Sequence, residues 1–288
     1  MREIPATYLF IGDDENALRN ILPEFAANGA KHVVLSDLLV SAIMHKYAFA
    51  DTVQKYLDET GLTFVDSHAP FGWGIDMNSP VKSRRRENIL RQKLALNIAQ
   101  RFNVDTMTIH IGNDHRYPDT PLAEQVDLVA ESLAELLPEA EKCGVVICIE
   151  NIWSRLTTPD MLLKFKGMFP SDYLGFCYDA GHANLMTNGK DYPEGDASTT
   201  WGMFGETPDW NDPILEKMLP HIVNCHLHDN FGNEDSHMLC GKGNVDWKYV
   251  IPLLKTAPKL RNIQCESISS RHHFSVREMV ESVNNLLK

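Results

Sequence analysis

Residues 145–151 read VVICIEN: five apolar residues in a row, then a carboxylate and an amide. A short run this rich in Val and Ile has the composition of a strand buried on both faces, as parallel sheets require. It stops on Glu150, and a carboxylate at the end of a buried strand is costly unless something pairs with it. The same plan recurs along the chain, in ATYLFIG (6–12), HVVLS (32–36), LTFVDSH (62–68), TMTIHIG (106–112), LGFCYDA (174–180), IVNCHLHD (222–229) and IQCES (263–267). Between these runs lie segments with helical periodicity. Residues 81–103 put Ile89, Leu90, Leu94 and Ile98 near one stripe. Residues 121–143 open on Pro121 at the first helical position and stop before Gly144, and 275–288 carry Val276, Met279, Val280, Val283, Leu286 and Leu287.

Eight strand candidates alternating with helices predict an α/β fold, a single (β/α)8 barrel domain spanning residues 1–288. A doubly wound sheet is the competitor. If it bound a nucleotide it would offer a glycine-rich first turn, and GDDENA (12–17) is no GxGxxG. Residues 187–211 (TNGKDYPEGDASTTWGMFGETPDWN) are too polar and turn-rich for the barrel wall. They are expected to form a long loop on the strand-six side, serving as a lid.

The composition agrees with such a domain. With 43% hydrophobic and 23% charged residues, disorder, collagen and coiled coil are excluded. No run approaches the roughly 18 apolar residues needed to span a bilayer. The opening MREIPATYLF lacks the features of a signal peptide. Six cysteines with no CxxC spacing read as free thiols in a reducing, cytoplasmic compartment. The balance of 27 Lys+Arg against 39 Asp+Glu, a net charge of −12, argues against nucleic acid or an anionic membrane as partner. A homo-oligomer is compatible with the sequence but not demanded by it.

In a barrel of this kind the C-terminal ends of the strands converge on one mouth, where polar side chains build the site. Six of the eight predicted strands end on a side chain able to bind metal: His68, His110, Glu150, Asp179, His226 and Glu266. His182 follows Asp179 closely, and His228 and Asp229 follow His226. The next loop adds Asp235 and His237 before the GKGN turn (241–244). A single histidine at a strand end is ordinary, because it bonds readily to backbone. The set is not. Core packing gives no reason for VVICI, LGFCY and IQC each to stop on a carboxylate at the same end of one sheet. Glu150, Asp179, Asp235 and Glu266 would repel one another severely without cations between them. Imidazole nitrogen with carboxylate oxygen points to a catalytic divalent ion: Zn, Mn, Fe, Co or Mg. Cys148 and Cys177 each precede a carboxylate by two positions and read as small inward core residues, while Cys225 and Cys265 should face the helices. The basic run Lys82, Arg84, Arg85, Arg86 reads as a solvated helix start.

Taken together, SHAP (67–70), IHIGN (109–113), CIEN (148–151), YDAGHAN (178–184), HLHDN (226–230), DSHMLCGKGNVDW (235–247) and CES (265–267) resemble the xylose isomerase-like barrel superfamily. It holds sugar and sugar-phosphate isomerases and epimerases, and also the endonuclease IV class of abasic-site repair enzymes. The resemblance to the epimerases implies one metal held by Glu150, Asp179, His226 and Glu266, with Glu150 and Glu266 as acid and base. The resemblance to the endonucleases implies nine ligands for up to three zinc ions: those four with His68, His110, His182, Asp235 and His237. All nine are present. Because the loops around these motifs offer few cations for phosphates, the leading expectation is a metal-dependent isomerase or epimerase acting on a carbohydrate. One to three ions are expected, and the endonuclease is the alternative. In the leading reading His182 contacts a substrate oxygen. His68, His110 and His237 bind substrate or a second ion. Trp73 and Phe71 pack against a sugar, and Asn151 and Asp229 orient the ligands. One departure stands out: some ketose epimerases carry an Arg shortly after the strand-seven His, and LHDNFGNEDSH (227–237) has none.

Overall fold

Eight parallel strands close into a barrel in the order β1 to β8, in the computed structural model, which describes residues 4–288. They are β1 (Ala6–Tyr8), β2 (His32–Leu35), β3 (Thr63–His68), β4 (Thr106–Ile109), β5 (Val146–Glu150), β6 (Leu174–Asp179), β7 (Ile222–Leu227) and β8 (Ile263–Cys265). Helices follow the strands around the outside, so the predicted (β/α)8 architecture is the one observed. Most of the apolar core lies between strands and helices, where Leu35, Ile109, Ile149, Phe176 and Leu227 meet Leu22, Leu96, Leu133 and Phe165.

Local chemistry sets the helix boundaries. Asp14 accepts a hydrogen bond from the amide of Ala17 at 2.7 Å and caps Glu15–Ala27. Ser275 and Glu278 form a reciprocal capping box at the start of Val276–Leu287. Leu122–Cys143 ends on Gly144 in the left-handed conformation, as expected, while Pro121 is the cap residue rather than the first helical one.

Two readings need correction. In Lys82–Arg101, Leu90 and Leu94 are 62% and 57% exposed. The buried face is instead partly polar: Arg85, Asn88 and Gln92 join Ile89, Ala95, Leu96 and Ala99. Arg85 is therefore no solvated surface residue, since it donates to the Ser79 carbonyl and pairs with Glu131, both at 2.8 Å. Hydropathy cannot reveal a helix face whose polar groups are satisfied by the loop beneath it. Residues 187–211 are also more ordered than a long loop. They contain the end of the helix Ala180–Asn188, a 3-10 turn at Gly189–Asp191 and a helix at Asp196–Gly202. Ala197 and Thr200 are buried there.

The barrel lumen departs from the usual filling of branched apolar side chains. One side is apolar, with Val146, Cys148, Cys177 and Val223. The other is polar and fully buried: Asp66, Thr106, Thr108, Asn224, Asn262 and Gln264. A register shift between β6 and β7 organises this interior. Phe176 pairs with Ile222, but the next residue, Cys177, pairs with Asn224, leaving Val223 as an extra residue on β7. Asp179 then aligns with His226. Because side chains alternate along a strand, this one-residue insertion brings His226 onto the same inner face as Asp179.

Gly175 leaves room for Val223, since a Cβ there would lie 2.3 Å from a Val223 methyl. Gly175→Ala is expected to lower stability by about 1–3 kcal/mol through overpacking. Urea denaturation measures it, and an unchanged midpoint would show that Val223 is free to move.

Candidate metal centre

The central cluster is built by four neighbouring strands. Glu150 and Asp179 are the last residues of β5 and β6, His226 lies near the end of β7, and Glu266 follows β8. His226 Nδ1 sits 3.0 Å from Glu150 Oε1, 3.2 Å from Glu266 Oε2 and 3.8 Å from Asp179 Oδ2. One donor atom from each of the four residues lies within 4.8 Å of the others.

Two further clusters flank it. His68 and His110 join Glu150 in a second group, with His110 Nε2 2.8 Å from Glu150 Oε2. His68 bonds the Ala69 carbonyl through Nδ1 at 2.8 Å, which leaves Nε2 free to act as a donor atom. His182, Asp235 and His237 form the third group together with His228. His237 Nε2 is 3.0 Å from Asp235 Oδ2, and His182 Nε2 is 3.6 Å from Asp235 Oδ1. The nine positions singled out in the sequence thus meet at one mouth in three adjoining groups.

His228 was missed as a site residue. It is fully buried, stacks on His237 with ring centroids 4.0 Å apart, and holds Asp179 at 3.2 Å through Nε2. The spacing His226–Leu227–His228 in a strand puts both imidazoles on one face, and that signal was available. Gly181 is what lets the ring in, since a Cβ there would lie 2.0 Å from His228 Cε1. Trp153, also unforeseen, packs its ring 5.0 Å from that of His182.

The supporting residues divide the work differently from expectation. Asn151 forms a reciprocal pair with the backbone of Asp179, one of the four central candidate donors, at 2.8 and 2.9 Å. The Asp179 side chain also accepts the His182 amide proton and caps the helix Ala180–Asn188. Asp229, by contrast, makes no hydrogen bond to a ligand side chain. Its two oxygens accept from the amides of Asn230, Gly241 and Val245 and from the Trp247 indole, clamping the loop that carries Asp235 and His237. Phe71 packs on the rings of His68 and His110 at 4.9 and 4.4 Å, while Trp73 stands on the rim, 82% exposed beneath the Arg116 guanidinium.

Electrostatics tests whether these donors suit a cation. Among the described residues, Glu150, Asp179, Asp235 and Glu266 have imidazoles as their only ion-pair partners. Burial pushes the Glu150 carboxyl up, but His226 and His110 outweigh it and hold the group well below its usual range. Burial likewise opposes ionisation of Glu266, and His226 and then His237 bring it down to about 2. Burial disfavours the His237 proton, yet Asp235 holds it up to about 9. His68 runs the other way: burial, with His110 beside it, pushes it down to about 4. Buried oxygens of Glu150 and Asp235 have no hydrogen bond, even though His110 Nε2 is 2.8 Å from one of them. Short donor-to-donor approaches without hydrogen-bond geometry, among carboxylates and imidazoles, fit a divalent ion.

A closed parallel barrel with carboxylate and imidazole clusters gathered at its C-terminal mouth places the molecule among the barrels built around such a site. The family profile described as xylose isomerase-like TIM barrel matches residues 25–283, and the chain belongs to that family. An uncharacterized protein of Methanocaldococcus jannaschii, MJ1311, is 25% identical over 221 residues, which is 75% of this chain. The match spans 66% of that protein's length. The crystal structure of a D-tagatose 3-epimerase-like protein superposes with a TM-score of 0.76 at 19% identity, covering 98% of this chain and 96% of that one. The TTHB071 protein of Thermus thermophilus, in a structure soaked with ZnCl2, superposes at 0.69 with 22% identity, covering 98% and 96%. These two likenesses establish the shared fold.

The charge balance gives the metal-free protein a definite pH dependence. The raised His237 contributes stability that is whole below its ordinary value of 6.5 and is lost as pH rises through about 9. The depressed Glu266 contributes stability present above its ordinary value of 4.5 and lost only as pH falls through about 2. Chelator-stripped protein should therefore lose thermal stability between about pH 7 and about pH 9. A divalent ion competes with those imidazole protons, so the rise in Tm that zinc produces should be larger near pH 9 than near pH 6. Calorimetry with and without zinc checks this, and a larger rise at the lower pH would contradict it.

Proposed function

We propose that the chain is a divalent-metal-dependent isomerase or epimerase, acting on a sugar, sugar phosphate or related keto-polyol by proton transfer through an enediolate. The observation that carries this reading is the placement of two buried glutamates, Glu150 and Glu266, within 3.2 Å of one imidazole nitrogen in a single four-donor group. They enter the mouth from β5 and from the end of β8, three strands apart around the barrel. The epimerase-like neighbour in fold supports a carbohydrate as the substrate class.

Glu150, Asp179, His226 and Glu266 would hold the ion. When bound, it supplies positive charge that stabilises oxygen anions formed next to it. In the metal-free protein the imidazole neighbours hold both glutamates ionised, and either one, as a carboxylate, can be the base that accepts a proton from the carbon beside a carbonyl. In epimerisation one glutamate would have to enter ionised and the other as the neutral acid. The first takes the proton from carbon, the second gives its own to the opposite face, and the reverse direction starts from the exchanged protonation states. His68 and His110 line one flank of this space, and His182, His228, Asp235 and His237 the other, for substrate oxygens or further ions. Phe71 and Trp73 offer the apolar faces near the rim.

Residues 187–211 serve as the lid in this reading. Asp196 accepts the Asp235 amide at 2.7 Å, Trp201 bonds the Trp153 carbonyl at 3.1 Å, and Arg155 joins Glu206 at 2.6 Å. Movement of this segment would be felt by the His182 side of the site.

One observation favours a second reading, an endonuclease IV-like zinc phosphodiesterase acting at abasic sites in DNA. The donors form four groups, three of which share Glu150, one of these pairing it with His226 and Cys177. The reactions separate cleanly. Metal-loaded protein incubated with ketoses and their phosphates in D2O should incorporate deuterium beside the carbonyl. Glu150→Gln and Glu266→Gln should slow that exchange by about 10²–10⁴-fold. No exchange, together with incision of an abasic-site duplex that is lost in His68→Ala and Asp235→Ala, would establish the hydrolase instead.

A further inference from the structure

The fully buried polar half of the lumen lies directly beneath His226 and leads to its ring. His226 Nε2 is 3.3 Å from Thr108 Oγ1. Thr108 Oγ1 lies 3.0 Å from Asn224 Nδ2, and that same amide nitrogen is 3.0 and 3.1 Å from the two oxygens of Asp66. Asp66 is anchored in turn by the Thr106 hydroxyl at 2.7 Å and the Ser67 amide at 2.9 Å. Asn262 closes the column by donating to Thr106 at 3.0 Å. None of these side chains is more than 1% exposed.

Donor and acceptor bookkeeping gives the column a direction. The Asp66 carboxylate only accepts, so the Asn224 atom facing it is the NH2 group and not the oxygen. One amide proton serves Asp66 and the other points at Thr108. Thr108 Oγ1 therefore accepts from Asn224 and keeps a second lone pair. Toward His226 Nε2 the Thr108 hydroxyl can then act either way, accepting from an N–H there or donating its own proton to a bare nitrogen. Nδ1 faces Glu150, Glu266 and Asp179 and shares a proton with Glu150 in the metal-free protein. An ion held at Nδ1 would displace that proton and require the remaining one on Nε2, where Thr108 Oγ1 can accept it. The opposite tautomer would aim an N–H at the centre of the four-donor group.

We infer that Asp66, Asn224 and Thr108 form a positioning relay that sets the tautomer and orientation of His226 for metal binding. The inference rests on the reading of His226 as a metal ligand. It extends that reading to three lumen residues that touch neither ion nor substrate. Partners of this kind fix both ring orientation and ligand basicity in metal sites, and their loss typically weakens metal affinity by about 10–100-fold.

Zinc affinity, measured by chelator competition on the full chain, tests the relay alongside 15N NMR of the imidazoles in zinc-loaded protein. Wild type should show His226 protonated at Nε2. Thr108→Val, which is nearly isosteric but lacks the acceptor, should bind zinc about 10–100-fold more weakly, and Thr108→Ser, which keeps the oxygen, should recover most of that loss. Asp66→Asn removes the constraint on the Asn224 amide and should weaken binding in the same direction. Circular dichroism confirms that each variant is folded, and Thr108→Ser against Thr108→Val holds the packing change small. If zinc binding is lost in His226→Ala but stays within about twofold of wild type in Thr108→Val and Asp66→Asn, the relay is overturned and the metal reading stands. If binding is indifferent to His226→Ala, both are overturned.

Discussion

Glu150 is the constraint around which the mouth of this barrel is arranged. It is 1% exposed, it ends a strand of apolar residues, and no Lys or Arg among the described residues reaches it. A buried carboxylate in that position has to be matched by positive charge or by a proton. The fold answers with imidazoles from three directions: His226 from β7, His110 from just beyond β4 and His182 from the first turn of the helix that follows β6. The same carboxylate belongs to more than one donor group, so its charge couples His68 and His110 on one flank to His226 and Glu266 on the other. Protons on the histidines balance the charge in the metal-free protein, and a divalent ion, if bound, would compete for the same atoms.

That balance explains why so much of the molecule is devoted to aiming a few rings. The extra residue at Val223 turns His226 toward Asp179. Gly181 admits the His228 ring against the helix that Asp179 caps. Asp229 holds the loop bearing Asp235 and His237 through four donors and makes no hydrogen bond to the side chains of the candidate donors. The polar half of the lumen, costly beside an apolar filling, is intelligible as the underside of the site, because its chain of hydrogen bonds from Asp66 through Asn224 and Thr108 leads to His226 Nε2.

The barrel and the list of donors were legible because they follow from short-range rules. Strand-length apolar runs alternating with helical segments specify the architecture, and carboxylates closing VVICI, LGFCY and IQC are visible without coordinates. Two of the sequence-level errors have one cause. The polar buried face of Lys82–Arg101 and the folded segment at 187–211 both replace apolar contacts with hydrogen bonds to remote loops, as Gln92 to the Pro70 carbonyl and the Asp235 amide to Asp196 show. Hydropathy has no signal for a polar group whose partner is supplied by the tertiary fold.

By itself, then, the sequence determined that this is a (β/α)8 barrel and that nine metal-competent side chains stand at or just beyond the ends of its strands. The barrel follows from periodicity and from the shared direction of parallel strands, whereas the choice of those nine among the polar residues at the mouth is what the family resemblance implies. Only the tertiary structure decided how those side chains divide into groups, that His228 completes one of them, and that Asp229 serves the loop rather than a ligand. It also decided which nitrogen of His226 faces the carboxylates. Those outcomes turn on register and side-chain geometry between strands that are remote in sequence, where a one-residue shift exchanges the inside of the barrel for the outside.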